Sequence, residues 1–275
     1  MNHLLLAART DISESLRSRW FMVYTLVFGG IIVALFVSGL TESRVMGFSG
    51  LSRVLVTYLQ ITMAILPVFV LITTVRSVAG DREAGVFEYM LSLPVSLSAW
   101  YWGKMLGRFF VVFLPVVLAM FAAVFWGLGK AIEIPWVQVA YYTGFLLSLA
   151  WCFLGIGMLV STLARTSDVA TGIAFIIWLV LLLFMDLILL GLLVRQGMPS
   201  ESVILLALFN PMQVFRTAAM MLFDPHLVLL GQSAYVILDN FGQLGYRAWA
   251  LAYPVVLGSV CAWAGYSVFK RSDLP

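Results

Sequence analysis

Charge is scarce in this sequence, and one short stretch concentrates it. In "AGDREAGVFEYMLSLPVS", residues 79–96, three acids and one arginine fall within eight positions, Asp81 to Glu88. The 22 residues before Arg76 carry no charge, nor do the 21 after Arg108. Asp81, Arg82, Glu83 and Glu88 suit ion pairing with a partner surface. They do not suit hydrolysis, because no Ser/His/Asp, HExxH or paired-carboxylate constellation is visible in the chain. Two other places invite chemistry. Asp186 lies alone about two-thirds of the way along an apolar run. A mid-membrane acid costs about 2.5–3.5 kcal/mol on insertion scales, so it faces a protein interior or a cavity. It is a candidate transport-path or proton-linked group, or a buried hydrogen-bonding residue. Met220, Met221 and His226, with Met212 nearby, offer ligands to a soft metal, since thioethers suit Cu(I). Methionine is also a flexible filler of apolar cores, and no M-x-x-M or M-x-M ladder supports a metal path. The other histidine, His3, sits in the N-terminal arm with no role assigned.

The elements that must position these residues follow from composition. Of 275 residues, 63% are hydrophobic and 11% charged. Soluble domains carry roughly 25% charged residues, and so apolar a chain could not cover a soluble surface. The expectation is a single all-α transmembrane domain over residues 1–275. Strands of a membrane barrel would alternate polar and apolar, and these runs do not. The net charge of +3 forms no basic stripe, which argues against a nucleic-acid partner. Cys152 and Cys261 lie in apolar runs and read as small buried residues, not as a disulfide or a CxxC site. The start has neither a basic n-region nor a small-residue cleavage site, so no signal peptide is expected.

Six runs approach the ~20 residues that cross a bilayer. They are about 20–41, 54–75, 109–129, 138–163 (within the uncharged run 134–164), 169–194 with Asp186 inside, and 248–269. Pro67 and Pro115 would kink two of them, and Gly155 and Gly157 would permit close helix contact in a third. With a cytoplasmic N-terminus, ten of the sixteen Lys and Arg residues fall on inner segments, so both termini are placed inside. Residues 1–19 read as an amphipathic helix in the interface plane. Leu5, Ala8, Ile12, Leu16 and Trp20 form its apolar stripe, and Arg9, Asp11, Glu14 and Arg17 its polar face. Residues 195–247 form a long outer loop. In it, Asn210 caps a short helix with Pro211 at its first position, and Val214, Ala218 and Met221 share one face. A second weak apolar piece spans 227–238; the alternative is that both pieces form a further membrane hairpin.

The acidic patch thus falls in the largest inner loop, 76–108. It reads as a helix from about Asp81 to Leu93. Asp81 and Glu83 would occupy the first turn, where the helix dipole favours acids. Val86, Met90 and Leu93 would form one apolar line, Phe87 and Leu91 a second, and Leu93-Pro94 would stop the helix. Such a helix fits a groove in a soluble partner, or else packs on the membrane surface.

"GDREAGVFEYMLSLPVSLSAWYWGK" resembles the coupling segment of type-2 ABC exporter permeases, written around E-x-E-x-G-T-x-E, L-x-x-P-V-S and G-K. The matching residues are Arg82-Glu83, Gly85, Glu88, Leu91, Pro94-Val95-Ser96 and Gly103-Lys104. The family's usual threonine is Val86 here, and its arginine after P-V-S is Leu97. "NPMQVFR" (210–216) is similar to the family's N-P-x-x-x-x-R. The resemblance implies six transmembrane helices, an N-terminal elbow helix and a cytoplasmic coupling helix. It implies a homodimer in the bacterial inner membrane, driven by two copies of a separate ATPase. Asp81, Arg82, Glu83, Gly85, Glu88, Leu91 and Pro94 would meet that ATPase. A narrower resemblance, to permeases serving nitrous oxide reductase maturation, implies a periplasmic accessory protein. It also implies a sulfur or copper cargo for the reductase's copper–sulfur centre; an exporter of a drug, lipid or ion is the alternative. The residues agree on one point. "GLGK" (127–130) lacks the spacing of a phosphate-cradling loop, so no cofactor is expected here and ATP would be used by the partner.

Overall fold

The computed structural model describes residues 3–17, 19, 21–27, 30, 50–87, 96–129, 136–184, 207–222 and 232–271. Among the described residues every regular element is helical and none is a strand. The helices are α1 (His3–Leu16), α2 (Gly50–Glu83), α3 (Leu97–Gly129), α4 (Trp136–Leu163), α5 (Ser167–Leu179), α6 (Pro211–Met220) and α7 (Gln232–Arg271). Residues 21–27 are also helical. α5 runs on into a π turn, Val180–Phe184. Among the described residues, four helical stretches are long and apolar enough to cross a membrane: Ile61–Glu83, Leu97–Ala122, Trp136–Leu163 and Gly242–Arg271. Most of the expected first span and residues 185–194 of the fifth lie outside the described residues.

α4 is the central element, and its neighbour α7 lies close against it for a steric reason. A Cβ on Gly155 would come within 1.9 Å of the Gly258 carbonyl oxygen, and one on Gly258 within 2.6 Å of the Trp151 carbonyl oxygen. Only hydrogen at both positions lets the two backbones meet, as small residues do in membrane helix pairs. Gly157 lies against Thr74 of α2 in the same way, at 2.9 Å. Polar groups inside this apolar bundle are spent on neighbouring helices, because lipid offers them no partner. Ser148 Oγ donates to the Leu251 carbonyl at 2.6 Å, and Trp151 Nε1 to Ser259 Oγ at 3.0 Å. Trp178 Nε1 donates to the Ala64 carbonyl at 3.1 Å, three residues before Pro67, where the proline ring disturbs the ladder. Both cysteines are free.

α6 forms as its first residues dictate. The Asn210 side chain accepts from Met212 N at 2.9 Å, and Pro211 sits where a missing N–H costs nothing. The helix is not laid on a surface. Val214, Phe215, Ala218 and Ala219 are buried, and Asn210 Nδ2 donates to the Leu181 carbonyl in the π turn at 2.9 Å. The described part of the later apolar piece, from Gln232, belongs to α7, which breaks at Gly242 (φ 64°).

Two sequence expectations are corrected. Asp81 and Glu83 do not open a helix: they close α2, which continues through Arg76 to Glu83. Likewise α3 begins at Leu97, so much of the expected 76–108 loop is helix. The uncharged runs understate the helices because Arg76, Asp81, Arg82, Lys104 and Arg108 all have partners inside the protein and need not mark a helix end. The second correction is to α1: Asp11, expected on the polar face, is buried.

Candidate functional site

The chain turns between α2 and α3 at a glycine. Ala84 N donates to the Gly80 carbonyl at 3.0 Å and Gly85 N to the Arg82 carbonyl at 3.2 Å, closing the last turn of α2. Gly85 then adopts φ 67°, the left-handed conformation that commonly ends helices and that other residues resist. Glu83, Ala84 and Gly85 are exposed at this tip. Phe87 folds back and is buried. Its ring lies 5.4 Å from Trp100 at the start of α3, edge-on, and 5.4 Å from Phe269 near the end of α7. Trp100 and Phe269 stack on each other, and Tyr101 reaches the Ala262 carbonyl at 3.0 Å. The turn is therefore held to α3 and α7 by a wall of rings.

Beneath the tip lies a chain of charges. Lys104 pairs with Asp81, donates to the Ser77 carbonyl at 3.2 Å, and stands 4.7 Å from the Trp100 ring centre. Arg108, one turn further along α3, donates to the Thr73 carbonyl and approaches Asp11 of α1 at 3.3 Å. Lys104 and Arg108 thus grip α2 at carbonyls four residues apart. Arg82 reaches the opposite way, donating to the Ala164 and Thr162 carbonyls at 2.9 and 3.4 Å. These are among the carbonyls left open at the end of α4, where a cation also answers the helix dipole. Arg76 Nε donates to Thr171 Oγ1 of α5 at 3.3 Å. Ser161 Oγ of α4 accepts from the N–H groups of Val78 and Ala79, at 2.9 and 3.1 Å. The end of α2 is thereby tied to α1, α3, α4 and α5. Acids at a helix C-terminus oppose its dipole, and here Lys104 and Arg82 offset them.

Asp11 occupies the junction with α1. Burial pushes its carboxyl above the usual aspartate range; Arg108 and Lys104 pull it down only in part, and Glu14 adds to the rise. Arg108 is its ion-pair partner among the described residues, at 3.3 Å. α1 fits here because Gly103 and Gly107 leave room: Cβ atoms there would come within 2.6 Å of Ala7 Cβ and 2.8 Å of the Ala8 carbonyl oxygen.

Of the residues expected at the partner surface, Glu83 is at the tip, Gly85 makes the turn, and Asp81 and Arg82 are engaged internally. Glu88, Leu91 and Pro94 lie outside the described residues, as do Asp186 and His226. Met221 and Met212 are buried and Met220 is half-buried. Sequence reasoning passed over Asp11 and Arg108. The Gly103–Gly107 spacing on α3 was the available signal that another helix must approach there.

The turn, the ring wall and the charges lie at one end of a helical bundle that also carries α1 and the end of α7, since α1 packs on α3 and α7 ends at the rings. A sequence model of the ABC-2 family transporter proteins matches residues 5–274. A Stutzerimonas stutzeri protein named "Probable ABC transporter permease protein NosY" is 25% identical over 225 residues, covering 78% of this chain and 80% of its own length. The protein of the same name from Pseudomonas aeruginosa is 25% identical over 226 residues, covering 79% and 81%. The chain belongs to the ABC-2 transporter family, as a multi-pass membrane permease subunit of an ABC transporter.

Proposed function

We propose that the chain works as a homodimer driven by two copies of a separate ATPase, each received at the α2–α3 turn. One observation carries this reading: an exposed acidic tip, Glu83 to Gly85, stands on a base tied to four other helices. A partner that moves such a tip must move the helices beneath it, whereas a loosely attached loop would absorb the displacement. A ligand or partner shifts a conformational equilibrium only through contacts that differ between the states. Glu83, Gly85, Glu88, Leu91 and Pro94 meet the ATPase in this reading, while Asp81 and Arg82 brace the turn from below. The charge bias of the sequence supports placing this end, and both termini, in the cytoplasm of a bacterial inner membrane. Asp186 is assigned to the transport path.

For cargo, the likeness to two NosY permeases supports a sulfur or copper species destined for the copper–sulfur centre of nitrous oxide reductase, with a periplasmic accessory protein on the far side. The test is deletion of this chain in its own cell, followed by isolation of the reductase. Reductase lacking its copper–sulfur centre is the expected result. A fully assembled reductase would assign the permease a different cargo, such as a drug, lipid or ion.

A further inference from the structure

The stretch "NPMQVFR" (210–216) does more than start a helix. Asn210 is almost wholly buried, at 1% exposed, and its amide works in two directions. The oxygen accepts from Met212 N at 2.9 Å and caps α6, while Nδ2 donates to the Leu181 carbonyl at 2.9 Å. Capping needs only the oxygen, since serine and aspartate cap as well. The Nδ2 bond is therefore unexplained by the cap. It lands on the π turn Val180–Phe184. Such turns widen a helix, open its ladder to outside groups and recur at functional sites.

α5 is also held near its start. Thr171 accepts from Arg76 Nε at 3.3 Å, in the part of α2 that leads to the exposed tip. Thr171 and Leu181 are ten residues apart, about 15 Å of helix rise. α6 lies at the end of the bundle opposite the tip. On α4, Tyr142 meets Phe215 of α6, and Ser161 bonds the end of α2, 19 residues or about 28 Å further on. The chain entering α6 is fixed to α7, where Trp249 Nε1 donates to the Leu208 carbonyl at 3.3 Å and Tyr253 Oη to the Phe209 carbonyl. Arg76, α5 and Asn210 thus link the base of the tip to α6. Packed and hydrogen-bonded elements of this kind carry coupling between distant sites, and a change at one end read at the other demonstrates it. We propose that Asn210 is a positioning residue for transport, whose Nδ2 bond to the π turn passes displacement of α5 to α6. The proposal rests on the reading that an ATPase moves the α2–α3 turn.

The test is hydrogen exchange of the full-length permease with its ATPase in nanodiscs, with and without a non-hydrolysable ATP analogue. In wild type the nucleotide changes exchange in both α5 and α6. Asn210→Ser keeps the cap and removes the donor. Its nucleotide-free α6 exchanges as in wild type, the nucleotide still changes α5, and the change in α6 is lost. Asn210→Ala removes both bonds and loosens α6 with or without nucleotide. Arg76→Ala, exposed and remote from α6, also lowers the α6 response. A full α6 response in Asn210→Ser or in Arg76→Ala overturns the proposal. So does an α6 as loose in Asn210→Ser as in Asn210→Ala, which would make the Nδ2 bond part of the fold of α6 itself. If α5 responds in wild type and α6 does not, this inference falls and the reading of the turn stands. If neither helix responds, both fall.

Discussion

At the scale of single residues, the turn is set by backbone geometry and the base by buried charge. Gly85→Ala meets no atom within 4 Å among the described residues, and its conformational cost is about 1–2 kcal/mol for the left-handed region. A lowered melting temperature is expected, with Gly85→Asn milder because asparagine tolerates this region better. Asp11 makes a pH-dependent contribution. A carboxyl whose folded value lies above its unfolded one favours the fold most at acid pH, and that contribution is lost as pH rises through the folded value. Asp11→Asn cannot titrate. The melting temperature of wild type relative to Asp11→Asn should therefore fall as pH is raised from about 4 to about 8. A difference that instead grows over this range would mean that the Arg108 pairing outweighs burial. Asp11 also shows what pattern reasoning misses. Its place on α1 put it on the polar face of an amphipathic helix, but the glycines of α3 turn that face inward. Periodicity gives the sides of a helix, and the partner decides which side is buried.

At the scale of elements, the long apolar helices were legible because lipid demands about 20 uncharged positions and the chain supplies them. The cap of α6 was equally legible, since Asn210-Pro211 is a local instruction. Helix ends were not. Arg76, Lys104 and Arg108 interrupt the apolar runs, yet each is neutralised or hydrogen-bonded by a residue far away in sequence, so α2 and α3 run past them. A rule that counts charges cannot know that Asp11 and Thr171 will be waiting. The Gly155–Gly258 contact is the strongest element-level commitment. Gly155→Ala forces α4 and α7 apart or strains both backbones, and overpacking of this kind costs about 1–3 kcal/mol or more. Gly172→Ala, with nothing within 4 Å, is the control. The first variant should lose most of its folded yield in detergent-solubilised membranes and the second none. Equal yields would contradict the packing.

At the scale of the whole molecule, the chain is a membrane bundle that gathers α1, the end of α7 and its acidic turn on one side. That arrangement has a mechanical meaning. Lys104 and Arg108 on α3 hold α2, Arg82 holds the end of α4, Arg76 holds α5, and Arg108 reaches α1. Displacing the turn therefore displaces most of the bundle. Loosening one tie should weaken transport more than it weakens partner binding. Arg82→Ala removes the hold on the α4 carbonyls while leaving the exposed tip intact. It is expected to retain the ATPase and to lose transport; loss of binding in step with transport would show that Arg82 belongs to the docking surface. The central claim is that the acidic tip receives the ATPase, and one affinity measurement tests it most directly. Wild-type permease and a Glu83→Lys, Glu88→Lys variant are reconstituted at equal amounts, and binding of the partner ATPase to each is measured. Charge reversal at these two residues should weaken binding by about tenfold or more, because like charges then face the partner, with the permease still inserted and folded. Undiminished ATPase binding by the inserted variant would contradict the account.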